Sequence, residues 1–297
     1  MNKVVVEGSE SWDLILKPQQ SFFDIDLRNI WRYRDLLWLF VRRDFVSFYK
    51  QTILGPLWFF IQPLFTTIIY TFIFGGLAAI PTDGIRSPAV FYMAGITLWN
   101  YFADCITKTS TVFKDNTNIF GKVYFPRIVM PLSLIISNLI RFAVQILLFL
   151  VTMGFFYWIK GDHSFYFTPY VLLFPLVVVL MALQGLGLGM IVSAMTTRYR
   201  DLAFLVLFGV QLLMYGTTVV YPLSAVLQKF GGKHPGLVRI IEYNPMTALI
   251  ETFRMGFLGH GTFSWGMLSY SIVVTMLIFI LGVLTFNKVE RSFVDTI

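Results

Sequence analysis

Polar side chains recur at helical spacing inside three otherwise apolar stretches: Gln62, Thr66 and Tyr70; Asn100, Asp104, Thr107 and Thr111; Gln211, Tyr215 and Thr218. Residues three or four apart share one face of a helix, so each set forms a stripe. Such groups are costly among lipid and turn toward a partner helix or water. Two chemistries fit: a hydrated conduit lined by the three helices, or hydrogen bonds that glue them together. Tyr70, Trp99 and Tyr215 add flat rings with a polar tip, suited to sliding contact with a sugar face or to an interfacial aromatic belt.

The setting of those stripes is a membrane. The 297 residues are 57% hydrophobic and only 13% charged, against about 25% charged in a soluble domain. A single cysteine, Cys105, excludes an internal disulfide framework, and three scattered histidines exclude a histidine-rich metal cluster. No metal site is expected. The net charge of +7 lies mostly at the ends of apolar stretches, where it reads as an orientation signal rather than a nucleic-acid surface.

An all-α integral membrane protein is expected, with six apolar spans near residues 53–79, 89–112, 131–158, 169–195, 202–221 and 265–286. Lys and Arg gather on one side, from Arg28 to Lys50 and at Lys114, Lys122, Arg127, Arg198, Arg200, Lys288 and Arg291. The positive-inside rule makes that side, with both termini, cytoplasmic. Residues 1–26 show no signal-peptide core and read as a cytoplasmic segment. Residues 27–52 form a basic, Trp-bearing amphipathic helix in the inner interface, and residues 53–297 the six-span unit. A polar bridge, residues 113–130, faces the cytoplasm. Residues 222–264, interrupted at Asn244-Pro245, read as an outer re-entrant helical hairpin between spans 5 and 6.

Nucleotide chemistry is missing. Gly121-Lys122 and Gly232-Lys233 lack the upstream glycine and following Ser or Thr of a P-loop, and no H-E-x-x-H or G-x-S-x-G is present. A pore former energised from elsewhere remains. Arg141 sits at nearly the same depth as Asp104 on the antiparallel neighbour, which makes the two an expected intramembrane ion pair; Lys108 competes for Asp104 from one turn away. Arg42, Arg43 and Lys50 near the inner interface can attract a lipid diphosphate, or simply obey the positive-inside rule.

Four short motifs fall in order along the chain: Leu54, Gly55, Trp58 and Pro63; Lys122, Phe125, Pro126, Arg127 and Pro131; Tyr199-Arg200-Asp201; and Tyr243-Asn244-Pro245. This order resembles the membrane subunits of ABC exporters for bacterial surface polysaccharides: O-antigen, capsule and wall teichoic acid. The resemblance covers residues 27–297 and implies a homodimeric permease of the inner membrane, working with two separate ATPase subunits that bind ATP and magnesium. It implies a conduit at the dimer interface lined by spans 1, 2 and 5, and a coupling helix in the bridge around Asn116, Lys122, Phe125, Pro126 and Arg127. The implied cargo is a polysaccharide on undecaprenyl diphosphate. The acidic stretch before residue 27 is longer than the family pattern and takes no role from it. Two other classes remain: the same architecture exporting a small amphiphile or drug, and a membrane-bound glycosyl- or acyltransferase.

Overall fold

The computed structural model describes residues 27–50, 52–120, 125–196, 199 and 201–294. Among them every regular element is helical. A short helix α1 (Leu27–Arg32) leads into α2 (Arg34–Tyr49), whose Val41 and Phe40 are buried while Trp38 and Leu39 are exposed. Helix α3 (Trp58–Tyr70) contains Pro63, which removes one backbone donor, and it relaxes into a wider π-helical turn over Thr71–Leu77. Ser87 and Pro88 then open α4 (Pro88–Ser110).

The bridge supplies two single-turn helices, α5 (Val112–Asp115) and α6 (Thr117–Phe120). Long helices α7 (Val129–Trp158) and α8 (Phe174–Thr196) follow, then the shorter α9 (Leu202–Tyr215). Helices α10 (Leu223–Phe230), α11 (Pro235–Glu242) and α12 (Pro245–Leu258) fold back at the opposite end, and α13 (Trp265–Val294) closes the chain.

Four helical stretches are long and apolar enough to cross a membrane: Gly55–Leu77, Val129–Trp158, Pro169–Thr196 and Trp265–Val289. Helix α4 has a comparable length but carries Asn100, Asp104 and Lys108. It can, because α3, α7, α8 and α9 surround it and most of its side chains never meet solvent or lipid. The core is therefore built around α4, with Phe91, Tyr92, Phe102 and Met93 fully enclosed.

Two expectations shift. The fifth apolar stretch ends as a helix at Tyr215 rather than near residue 221, because Gly216 begins a turn whose carbonyls are taken by other side chains. The break at Asn244-Pro245 is real, and it starts a helix rather than interrupting one: Asn244 Oδ1 accepts the Met246 N–H at 3.0 Å and Pro245 occupies the first turn. Gly259 closes the same helix in the left-handed conformation (φ 70°), where an added Cβ would meet the Tyr166 ring at 2.7 Å.

Candidate functional site

Helices α3 and α9 flank α4 and expose most of their length. Val210 is the one buried residue of α9 among its described side chains, and Phe65, Ile68, Phe72, Phe204 and Phe208 stand outside the core. The polar stripes lie on these helices. Gln62 and Gln211 are exposed, Thr66 is half-buried with its hydroxyl donating to the Gln62 carbonyl at 2.9 Å, and Tyr215 is 54% exposed. The Tyr70 hydroxyl reaches Met214 Sδ at 3.7 Å and so brings α3 to the end of α9. On α4, Asn100 and Asp104 are only partly covered.

Two residues expected on that wall are elsewhere. Trp99 is 5% exposed and meets Phe102 edge-on at 5.5 Å, deep in the bundle. Thr218 is fully buried beyond the end of α9, its carbonyl accepting from Arg254 Nη1 at 2.6 Å. Helical spacing puts Thr218 in register with its stripe, whereas Trp99 is an aromatic next to Asn100 in the sequence. Spacing carries no information on which sides of α4 are enclosed, or on where α9 stops.

At the bridge end, Asn116 is buried; its side-chain amide donates to the Val112 carbonyl at 3.0 Å and its side-chain oxygen accepts from Arg43 at 3.3 Å. Phe125 is also buried, stacked on Phe120 at 5.8 Å and tilted against Phe40 at 5.7 Å. Arg127 is half-buried over the Phe120 ring at 5.5 Å, and Pro126 gives its carbonyl to the Val129 N–H. Lys122 lies outside the described residues, as does Arg200. Among the described bridge residues, the exposed surface belongs to Lys114, Asp115, Thr117 and Asn118, none of them singled out for coupling from the sequence. Their signal was available, since polar residues alternate there with the buried Val112, Phe113 and Phe120.

The basic residues nearby divide. Arg42 and Lys50 are exposed, whereas Arg43 lies 2.7 Å from Asp44 and stacks at 5.0 Å over Phe40. Around the expected Asp104–Arg141 pair, Lys108 also engages the carboxylate. Asp104 lies 3.9 Å from Lys108, one turn on, and Lys108 Nζ donates across to Asn138 on α7 at 2.7 Å. Lys108 reaches Asp104 along one helix, with no cross-helix alignment needed. Arg141 feels Asp104 and Asp44 through space and covers the Phe59 ring at 5.7 Å. Two adjoining clefts share Asp44 and Lys108: one of about 450 Å³ also bordered by Arg43, Asp115 and Asn116, the other of about 300 Å³ reaching Asn138 and Arg141.

The opposite end is closed by polar ties. Arg254 donates to the carbonyls of Thr218 (2.6 Å), Val219 (2.7 Å) and Tyr221 (3.4 Å), and stacks 3.8 Å above Phe91. Glu251, 3.4 Å away, accepts from the Leu223 and Thr262 N–H groups. Between α7 and α8, Asp162 accepts from the Ser87 hydroxyl and from the Ser164 N–H at 3.0 Å. Burial opposes ionisation of Asp162, but the hydrogen bonds from Ser164 and Ser87 outweigh it and hold the carboxyl below its ordinary range.

The profile of the ABC-2 type transporter family matches residues 35–258, from α2 through α12. This chain belongs to that family. As an ABC-2 membrane subunit it is a transport component, multi-pass and membrane-embedded. Its curated relatives include the O-antigen export system permease protein RfbA of Klebsiella pneumoniae, 28% identical over 261 residues that cover 88% of this chain and 94% of the relative. The protein of the same name from Myxococcus xanthus is 28% identical over 234 residues, covering 79% of this chain and 84% of the relative.

Proposed function

We propose that this ABC-2 type permease exports a surface polysaccharide carried on undecaprenyl diphosphate, an O-antigen-like glycan, across the bacterial inner membrane. Two copies associate, each with six spans, and two separate ATPase subunits bind ATP and magnesium. The reading is carried chiefly by α3 and α9: apolar helices largely bare in the single chain, with Gln62, Tyr70, Gln211 and Tyr215 along them. A second copy facing those helices covers the apolar surface and encloses the polar one. The names of the relatives support the cargo.

In this reading α2 and the bridge face the cytoplasm, with both termini, and α10–α12 form the outer re-entrant hairpin. The exposed bridge residues Lys114, Asp115, Thr117 and Asn118 meet the ATPase, while Asn116, Phe125, Pro126 and Arg127 fix the shape that it pushes on. ATP-driven closure of the ATPases then moves the bridge and shifts the two copies between arrangements. Arg42 and Lys50 are free to meet the lipid diphosphate through charge-assisted hydrogen bonds; Arg43 already answers to Asp44.

The test is expression with the neighbouring ATPase, followed by copurification and uptake of radiolabelled lipid-linked glycan into inverted vesicles. ATP-dependent accumulation is expected. Accumulation of small amphiphiles without glycan movement would favour the drug-exporter class instead.

A further inference from the structure

Helix α2 is more than a surface anchor, because three of its side chains bind three different parts of the molecule. Arg43 donates to Asn116, the residue that joins α5 to α6, at 3.3 Å. Phe40, one turn earlier, meets Phe125 where the bridge returns to α7, at 5.7 Å. Phe45 stacks at 5.6 Å on Phe59, at the foot of α3. The Ser137 hydroxyl adds a hydrogen bond to the Val41 carbonyl at 3.4 Å, holding the middle of α2 to α7.

Asn116 is a strong point of attachment. Its backbone carbonyl accepts the Ile119 and Phe120 N–H groups, so it caps α6, while its side-chain amide holds the last turn of α5. Arg43 thus grips the junction rather than the end of either short helix. Asp44, 2.7 Å away, fixes the guanidinium, and Arg43 Nη2 also lies 3.8 Å from Met130 Sδ on α7. A lipid-anchoring arginine would instead extend its charge toward headgroups.

We propose that α2 carries displacement of the bridge to the foot of α3, and that Arg43 is the positioning residue that locks α2 to Asn116. The proposal rests on the permease reading above. Without α2, a bridge pushed by an ATPase acts on the bundle it packs against: α4, α7, α8 and, through Phe113 on Phe286, α13. Through α2 the push also reaches the foot of α3 directly, at Phe59, on a helix whose outer face is bare. Two-state displacement of a packed element, rather than continuous bending, is the way such interfaces amplify small shifts.

The test uses the full chain with its ATPase in vesicles, reading glycan export and ATP hydrolysis separately. Arg43→Gln should keep at least about half of the hydrolysis while export falls about ten-fold or more, a split that simple loss of folded protein does not produce. Phe45→Ala, at the other contact, should give the same split. Equal loss of both activities, or export at the wild-type rate, overturns the proposal.

Covalent repair provides an independent check. In a Cys105→Ser background, Arg43→Cys combined with Asn116→Cys should be uncoupled when the thiols are free. Bridging them with a short bis-maleimide should raise export at least about five-fold, because the linker replaces the lock; this rescue separates positioning from stability. A bridged protein that hydrolyses ATP but still does not export overturns the assignment. Failure of the unmodified chain to copurify with an ATPase strikes the permease reading itself, and is seen before any variant is made.

Discussion

Arg254 is 1% exposed, and three backbone carbonyls, Glu251 and the face of Phe91 share its charge. Removing one member of such a buried set leaves the others unpaired, at a cost of roughly 3–5 kcal/mol. Arg254→Met is therefore expected to lower the thermal midpoint and folded yield sharply, measured in detergent by fluorescence size exclusion. Gly95 belongs to the same arrangement: a Cβ there would sit 2.4 Å from the Val219 carbonyl oxygen. In the sequence, Arg254 is one basic residue within the stretch read as an outer re-entrant hairpin. Its partners are backbone carbonyls some 35 residues earlier, which no local pattern announces. Asp162 gives a pH-dependent expectation. Its folded-state pKa is depressed, so its stabilisation is present above the unfolded value and is lost as pH falls through the folded one. Hydrogen exchange around residues 159–168 should accelerate in the acid range, below the ordinary carboxylate pKa of about 3.9. Asp162→Asn should remove most of that acid dependence.

At the scale of helices, the close crossings were readable and their directions were not. Gly185, Gly187 and Gly189 announce that α8 packs tightly against something. The structure divides them: an added Cβ on Gly185 would meet Cys105 at 2.6 Å and one on Gly189 would meet Thr109 at 2.5 Å, both on α4. On the other side, Gly187 faces α13: a Cβ added there would meet the Phe279 Cα at 2.8 Å, and one added on Gly282 would meet the Gly187 carbonyl oxygen at 2.5 Å. Helix α8 is thus pinched between two neighbours. Gly282→Val must push α13 outward and is expected to cost about 1–3 kcal/mol as overpacking. A lowered midpoint with export and hydrolysis reduced in parallel would identify it as structural, in contrast to the split expected of Arg43→Gln. The bridge was readable as a polar connection, but its inner and outer residues were not. Asn116 looked like an exposed contact and proves to be an internal junction, because its amide closes the turn of α5.

For the whole molecule, the decisive contrast lies between α4, enclosed over most of its surface, and α3 and α9, which stand beside it largely bare. Polarity inside an apolar stretch marked all three alike, so the sequence could not separate a core helix from an outer wall. That difference converts directly into opposite expectations for two aromatic residues. Trp99, 5% exposed and set against Phe102, should behave as core: Trp99→Ala removes a buried ring at a typical cost of roughly 3–5 kcal/mol and should deplete folded protein. Tyr215, 54% exposed, supports little in the single chain beyond its carbonyl, which accepts the Tyr221 hydroxyl at 2.7 Å and survives substitution. Tyr215→Ala should therefore leave abundance close to wild type, with any cost in the range of surface substitutions, about 0.5 kcal/mol. If α9 lines the conduit, the same variant should slow export of long glycans more than short ones, since a longer chain makes the sliding contact more times. The measurement is glycan length distribution at the cell surface, normalised to folded permease. Wild-type distributions from Tyr215→Ala and Tyr70→Ala together would return both rings to the interfacial belt, and would leave the stripe of Gln62, Thr66, Asn100, Asp104 and Gln211 to test a conduit between the two copies.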